Sequence, residues 1–280
     1  MRDHTFRASD RATLHYLRGG AGPTVLFLPG AGFSAELFTR QLDHFATSFD
    51  VISLDKRGHG DSEPVSHGYR VSRFAKDLRD LLEALDLHEV NLVAHSLGAA
   101  MVYNYVSLYG TERLNSLVVV DEPAVLLRDP AWSDDVAAEL GAVYEPGELH
   151  ALTAGFSQPD NSELLTNIVD NMTTPQADDA TKDFIRSCLR IPGPAATKLF
   201  FNNISQDFRD VLPLLDIPVL FITGRGSIHP WRSHEWMRDQ VPGSRLFVFE
   251  EEQGGNHFPM VENPTLFNEV LAEFLADVTA

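Results

Sequence analysis

VNLVAHSLGAAMVYNYV, residues 90–106, decides the fold. Its first five residues form a short apolar run of the kind that makes a buried strand, and Ala99–Val106 continues as a helix. Between them, Ala94-His95-Ser96-Leu97-Gly98 keeps a small residue two before and two after the serine. A strand that turns directly into a helix brings the two backbones close, so those flanking positions have no room for large side chains. Such a turn lifts Ser96 Oγ above the strand ends. It also sets the helix N-terminus, with its free N–H groups and positive potential, beside it. The spacing matches G-x-S-x-G with Ala in first place, and Ser96 is the candidate nucleophile.

Working outward, similar runs recur at TVLFL (24–28), DVISL (50–54), SLVVV (116–120), PVLFI (218–222) and RLFVF (245–249). Amphipathic segments separate them. In VSRFAKDLRDLLEAL (71–85), apolar residues return at helical spacing with charges opposite, and PTLFNEVLAEFL (264–275) repeats the pattern. Alternation of strand and helix predicts an α/β fold, a mostly parallel sheet with helices on both faces. Alternation over residues 4–17 adds an antiparallel hairpin at one edge. From 126 to 208 no strong strand signal occurs, and helical stretches such as DDVAAEL and ATKDFIRSCL fill the segment. The expected organisation is a core of residues 1–125 and 209–280 with a helical cap insertion, 126–208. The cap would lie over the carboxyl edge of the sheet, where open α/β sheets bind ligands.

The 280 residues, 44% of them hydrophobic, suffice for one domain with an insertion. A formal net charge of −18 repels nucleic acid and anionic membrane and suits a small neutral substrate. The single cysteine, Cys188, permits no intramolecular disulfide and reads as a small buried hydrophobe. The opening MRDHTFRASD lacks the apolar stretch of a signal peptide, and no run approaches the ~20 residues of a membrane span. A cytoplasmic location is expected. The eleven histidines show no metal-ligand spacing with a carboxylate, and the glycines near residue 30 lack the dinucleotide-binding pattern. The chain is expected to need neither metal nor cofactor. Its oligomeric state is open.

Four motifs in matching order, LPGAGFSAELF (28–38), DKRGHGDSE (55–63), AHSLG (94–98) and GGNHFPMVENP (254–264), resemble the α/β-hydrolase superfamily. The resemblance covers the chain outside the insertion and implies a capped serine hydrolase with a catalytic triad. It implies His257 as general base, needed because a serine hydroxyl is a poor nucleophile at neutral pH. It also implies an oxyanion hole in the turn after residues 24–28, from the N–H of Ala31 paired with that of Leu97. Removing one such donor costs about 3–4 kcal/mol of barrier stabilisation. Many members carry His-Gly where this chain has Pro29-Gly30. Phe33 and Phe258, beside the proposed catalytic groups, and Trp132 in the insertion are the pocket candidates. His95 should project away from Oγ, His59 reads as a structural turn residue, and His229 suits the pocket or the surface equally.

The acid of the triad is the open point. The loop after residues 218–222, TGRGSIHP (223–230), contains no Asp or Glu, and Ser227 stands about where the acid would be. Ser227 carries no charge and reads as a turn residue. Some members of the family take the acid from the preceding strand. Here that strand ends in Asp121-Glu122, and a triad needs only a carboxylate on the histidine Nδ1–H. Asp121 is the first choice, since it follows directly on the rigid strand. Glu122 is the second, expected to face the other way because strand side chains alternate. Glu235 and the run Glu250–Glu252 remain behind them.

The expected activity is hydrolysis of a small, fairly apolar carboxylic ester or lactone through an acyl-enzyme. The rivals are a cofactor-independent C–C hydrolase or lyase, a perhydrolase, and a low-turnover ligand-binding receptor of the same fold. Dehalogenases and epoxide hydrolases place Asp at the nucleophile position, and Ser96 argues against both.

Overall fold

The computed structural model describes residues 1–158, 162–190 and 193–279. Eight strands form one sheet in the order β1-β2-β4-β3-β5-β6-β7-β8. They are β1 (Arg2–Arg7), β2 (Thr13–Gly20), β3 (Thr24–Leu28), β4 (Asp50–Leu54), β5 (Val90–His95), β6 (Leu114–Val120), β7 (Val219–Gly224) and β8 (Arg245–Phe249). The hairpin β1–β2 is antiparallel and sits at one edge, while β4, β3, β5, β6, β7 and β8 pair in parallel. Every residue of β4, β5 and β7 is buried, as a parallel strand covered on both faces requires.

Helices cover both faces. α2 (Val71–Ala84) and α3 (Leu97–Tyr109) lie on one side, burying Phe74, Leu78 and Leu81 from the first and Met101 and Tyr105 from the second. α1 (Thr39–Phe45) lies on the other side and buries Leu42 and Phe45. Between β6 and β7 come α4 (Asp134–Leu140), α5 (Pro146–Phe156), α6 (Ser162–Asn171), α7 (Asp179–Cys188) and α8 (Gly193–Ile204). After β7 follow α9 (Arg232–Gln240), α10 (Pro259–Glu262) and α11 (Pro264–Val278). α9 joins the layer of α2 and α3 through Met237, and α11 joins that of α1 through Phe267 and Leu271.

The α4–α8 segment is tied to the sheet end at several points. Phe33 bridges Leu189, Ser34 N donates to Cys188 O at 2.9 Å, and Arg190 N donates to Gly32 O at 2.6 Å. Glu262 accepts from Thr174 N and Thr174 Oγ1. No helix among the described residues is long and apolar enough to cross a membrane.

Candidate active site

The turn from β5 into α3 has the expected strain. Ser96 adopts φ 52°, ψ −131° at the head of α3, a positive φ that costs a residue with a side chain of order 1–3 kcal/mol. The approach it serves is tight: a Cβ on Gly98 would lie 2.2 Å from Leu28 O. A Cβ on Gly30 would come within 2.9 Å of both Ser96 Cβ and His95 Nδ1. The Pro29-Gly30-Ala31 turn therefore presses directly on the serine. Ala31 N–H meets no acceptor among the described residues. Leu97 N–H lies in the first turn of α3, where backbone donors have no intrahelical partner. Both N–H groups thus lie at the serine's turn.

His257, in the loop between β8 and α10, arrives at the same place. His95 Nε2 lies 2.9 Å from the His257 carbonyl, and the two rings stand 4.6 Å apart. Burial drives the His95 pKa well below its ordinary value. The neutral ring therefore braces the His257 loop. The His257 N–H donates to Asn256 Oδ1 at 2.8 Å, and to Met172 O at 3.2 Å at the end of α6.

His257 Nδ1 lies 2.6 Å from Asp121 Oδ2, with both groups buried. Asp121 follows β6 directly at φ 53°. Two hydroxyls from the tip of β7 complete its shell. Thr223 Oγ1 donates to Oδ1 at 2.7 Å and Ser227 Oγ donates to Oδ2 at 2.6 Å. Burial alone would raise this carboxyl, but the hydrogen bond and charge of His257 hold it far below the usual carboxylate range. Ser227 is thus more than a turn residue. It hydrogen-bonds the carboxylate that takes the place of its own missing acid, and it accepts from His229 N at 3.0 Å. A hydroxyl partner of this kind has no sequence signature, because it depends on two strand tips meeting.

Glu122 points elsewhere. It is buried, its Oε1 accepts from Asn203 Nδ2 of α8 at 3.2 Å, and among the described residues no hydrogen bond joins it to His257. Burial, helped by the Asp121 charge, pushes its pKa up to about 8, and Asn203 and the nearby Ser96 hydroxyl pull it down. The shift favours the neutral acid beside Ser96. No hydrogen bond joins Ser96 Oγ to His257 among the described residues. Such contacts often tighten only with substrate present.

Phe33 and Phe258 meet edge to face at 5.2 Å, and Phe258 lies 5.1 Å from the His257 ring. Trp132 is not part of this group. It lies beneath the Arg209 guanidinium, 4.7 Å away, and packs with Val125, Ala137, Leu140 and Ala142. The chain turns between Asp129 and Trp132 before α4 begins, which carries the indole to that helix. His229 is buried 5.5 Å from His257, with its pKa pushed down to about 3 by burial. His59 is buried too, with Nδ1 against Arg57 O at 3.0 Å. Asp121, His229 and His257 offer donor atoms within 4.8 Å of one another. The Asp121 oxygens are already taken by His257, Ser227 and Thr223, so this cluster fits a histidine hydrogen-bonded to a carboxylate better than a metal ion.

A family model described as alpha/beta hydrolase fold matches residues 23–264. The chain belongs to this family. Non-heme chloroperoxidase CPO-A1 of Kitasatospora aureofaciens is 31% identical over 271 residues, covering 95% of this chain and 97% of its own. 3-Oxoadipate enol-lactonase 2 of Acinetobacter baylyi is 23% identical over 269 residues, covering 95% and 94%. Among solved structures, the esterase EaEST from Exiguobacterium antarcticum superposes with a TM-score of 0.87 at 21% identity. That match covers 97% of this chain and 98% of the esterase, a likeness of fold.

Proposed function

We propose that the protein is a serine hydrolase that cleaves a small, neutral, fairly apolar carboxylic ester or lactone through an acyl-Ser96 intermediate. The observation that carries this reading is the 2.6 Å contact between His257 Nδ1 and the ionised Asp121, beside a serine held on a strained strand-to-helix turn. Ser96 Oγ attacks the carbonyl carbon while His257 Nε2 takes its proton. Asp121 fixes the ring so that Nε2 is the basic nitrogen, and it stabilises the imidazolium. The carbonyl oxygen, now negative, accepts hydrogen bonds from Ala31 N–H and Leu97 N–H. Collapse breaks the C–O bond, and the alcohol leaves with the proton from His257. Water, deprotonated in turn by His257, attacks the acyl carbon and frees the acid and Ser96. Helices α4–α8 act as a cap that shapes the pocket with Phe33 and Phe258.

A second reading has one specific support, the 31% likeness to a non-heme chloroperoxidase. Hydrogen peroxide attacking the acyl-Ser96 in place of water would release a peracid. Adding peroxide to the ester assay and titrating peracid separates the two readings.

The main test is turnover of p-nitrophenyl acetate and butyrate by wild type and Ser96→Ala. A loss of about 10³-fold or more in the variant is expected. Wild-type turnover equal to the Ser96→Ala background on every chain length contradicts the proposal.

A further inference from the structure

Lys56, in the DKRGHGDSE motif, is left without a role by the chemistry above. Its side chain is fully buried, an unusual place for a lysine. Nζ donates to three backbone carbonyls: Pro29 O at 2.9 Å, Gly30 O at 3.0 Å and Phe33 O at 3.3 Å. Three acceptors match the three N–H donors of an ammonium. All three belong to the single turn that presses on Ser96. A methionine would fill the same volume without the cost of burying an amine, so filling space does not account for a lysine here.

The connection to catalysis runs through one peptide group. The Gly30 carbonyl, which accepts from Lys56, and the Ala31 N–H, assigned above to the oxyanion, are its two ends. A charged donor on the C=O polarises the amide and makes its N–H a stronger donor. As an ammonium, Lys56 also sets a positive charge behind the point where negative charge develops. We propose that Lys56 is a positioning residue for the oxyanion hole: through the Gly30 carbonyl, its ammonium holds and polarises the Ala31 N–H. This rests on the hydrolase reading.

Asp55, His59 and His95 are the titratable groups around Lys56. Both rings are held neutral by burial, with the Lys56 charge adding to the effect. Burial pushes the Lys56 amine down to about 7 and Asp55 opposes the shift. The three carbonyls favour the charged form as well.

The test compares wild type with Lys56→Met for kcat and KM on p-nitrophenyl butyrate, for thermal stability, and for inhibition by a trifluoromethyl ketone, whose adduct with Ser96 carries the oxyanion. A folded variant should lose about 10- to 100-fold in kcat. KM should stay within about twofold, and ketone affinity should weaken in step with kcat. Unchanged kcat, or a loss confined to KM, overturns the inference. A wild type without turnover overturns the hydrolase reading and this inference together. If Lys56→Met does not fold, the readout moves to wild type, as the ¹⁵N signal of the Lys56 ammonium with and without the ketone. A shift on adduct formation supports the role, and an unmoved signal overturns it.

Discussion

The tips of β6 and β7 lie side by side, paired in register from Leu117↔Val219 to Val120↔Ile222, yet they end in opposite chemistry. β6 ends in two carboxyls, Asp121 and Glu122. β7 ends in hydroxyls, Thr223 and Ser227, and both donate to Asp121. A histidine needs a carboxylate at one point in space, and either strand tip reaches that point. When β6 supplies the charge, β7 supplies donors that keep it ionised in a buried site. The two β6 carboxyls make the same lesson sharper. Asp121, with a histidine and two hydroxyls, is held ionised, whereas Glu122, with a single amide at hydrogen-bond distance, is pushed up to about 8. Adjacent residues with equal burial take opposite charge states because their partners differ.

The largest expected effect comes from removing the charge. Asp121→Asn should lower kcat on p-nitrophenyl butyrate by about 10³- to 10⁴-fold, and a loss under tenfold would assign the role to another carboxylate. Adding Ser227→Asp to that variant moves the acid to the β7 tip. Because Ser227 Oγ already lies 2.6 Å from Asp121 Oδ2, the double variant should recover at least tenfold of the loss. Equal rates for the single and double variants would mean that the tips are not interchangeable. Ser227→Ala removes one donor to the carboxylate and should cost about tenfold in kcat, read in the same assay.

Glu122→Gln should change the rate at pH 7 by only a few-fold. Its effect lies in stability against pH. The folded pKa is raised from 4.5 to about 8, so the native state keeps a proton that the unfolded chain releases. The stability this contributes is full below 4.5 and is lost as pH rises toward 8. Thermal melts at pH 6 and pH 9 should therefore show the variant gaining on wild type at the higher pH. A constant difference would show that Glu122 is not the group that titrates.

Much of this was legible in the sequence. The five central strands β3 to β7 announce themselves because residues covered on both faces are largely apolar, and the Ser96 turn announces itself because two backbones need small residues to approach. The contact of Asp121 with His257 is legible in the place of this carboxyl directly after such a strand. The parts that escaped are those where side chains from distant segments meet. Ser227 and Thr223 act only because β6 and β7 are neighbours, and a polar residue in a loop gives no sign of its acceptor. Lys56 sits in a charged motif, and only the folded turn shows three carbonyls around it. The sequence offers Trp132 as a pocket candidate only through its position between β6 and β7. The turn before α4, which carries it under Arg209, has no periodicity to read.

The measurement closest to the central claim is a proton NMR spectrum of the far-downfield region, where an Nδ1–H shared between imidazole and carboxylate resonates. Wild type and Glu122→Gln should show this resonance, and Asp121→Asn should lose it. Its survival in Asp121→Asn, or its loss in Glu122→Gln, would contradict the assignment of Asp121 as the partner of His257.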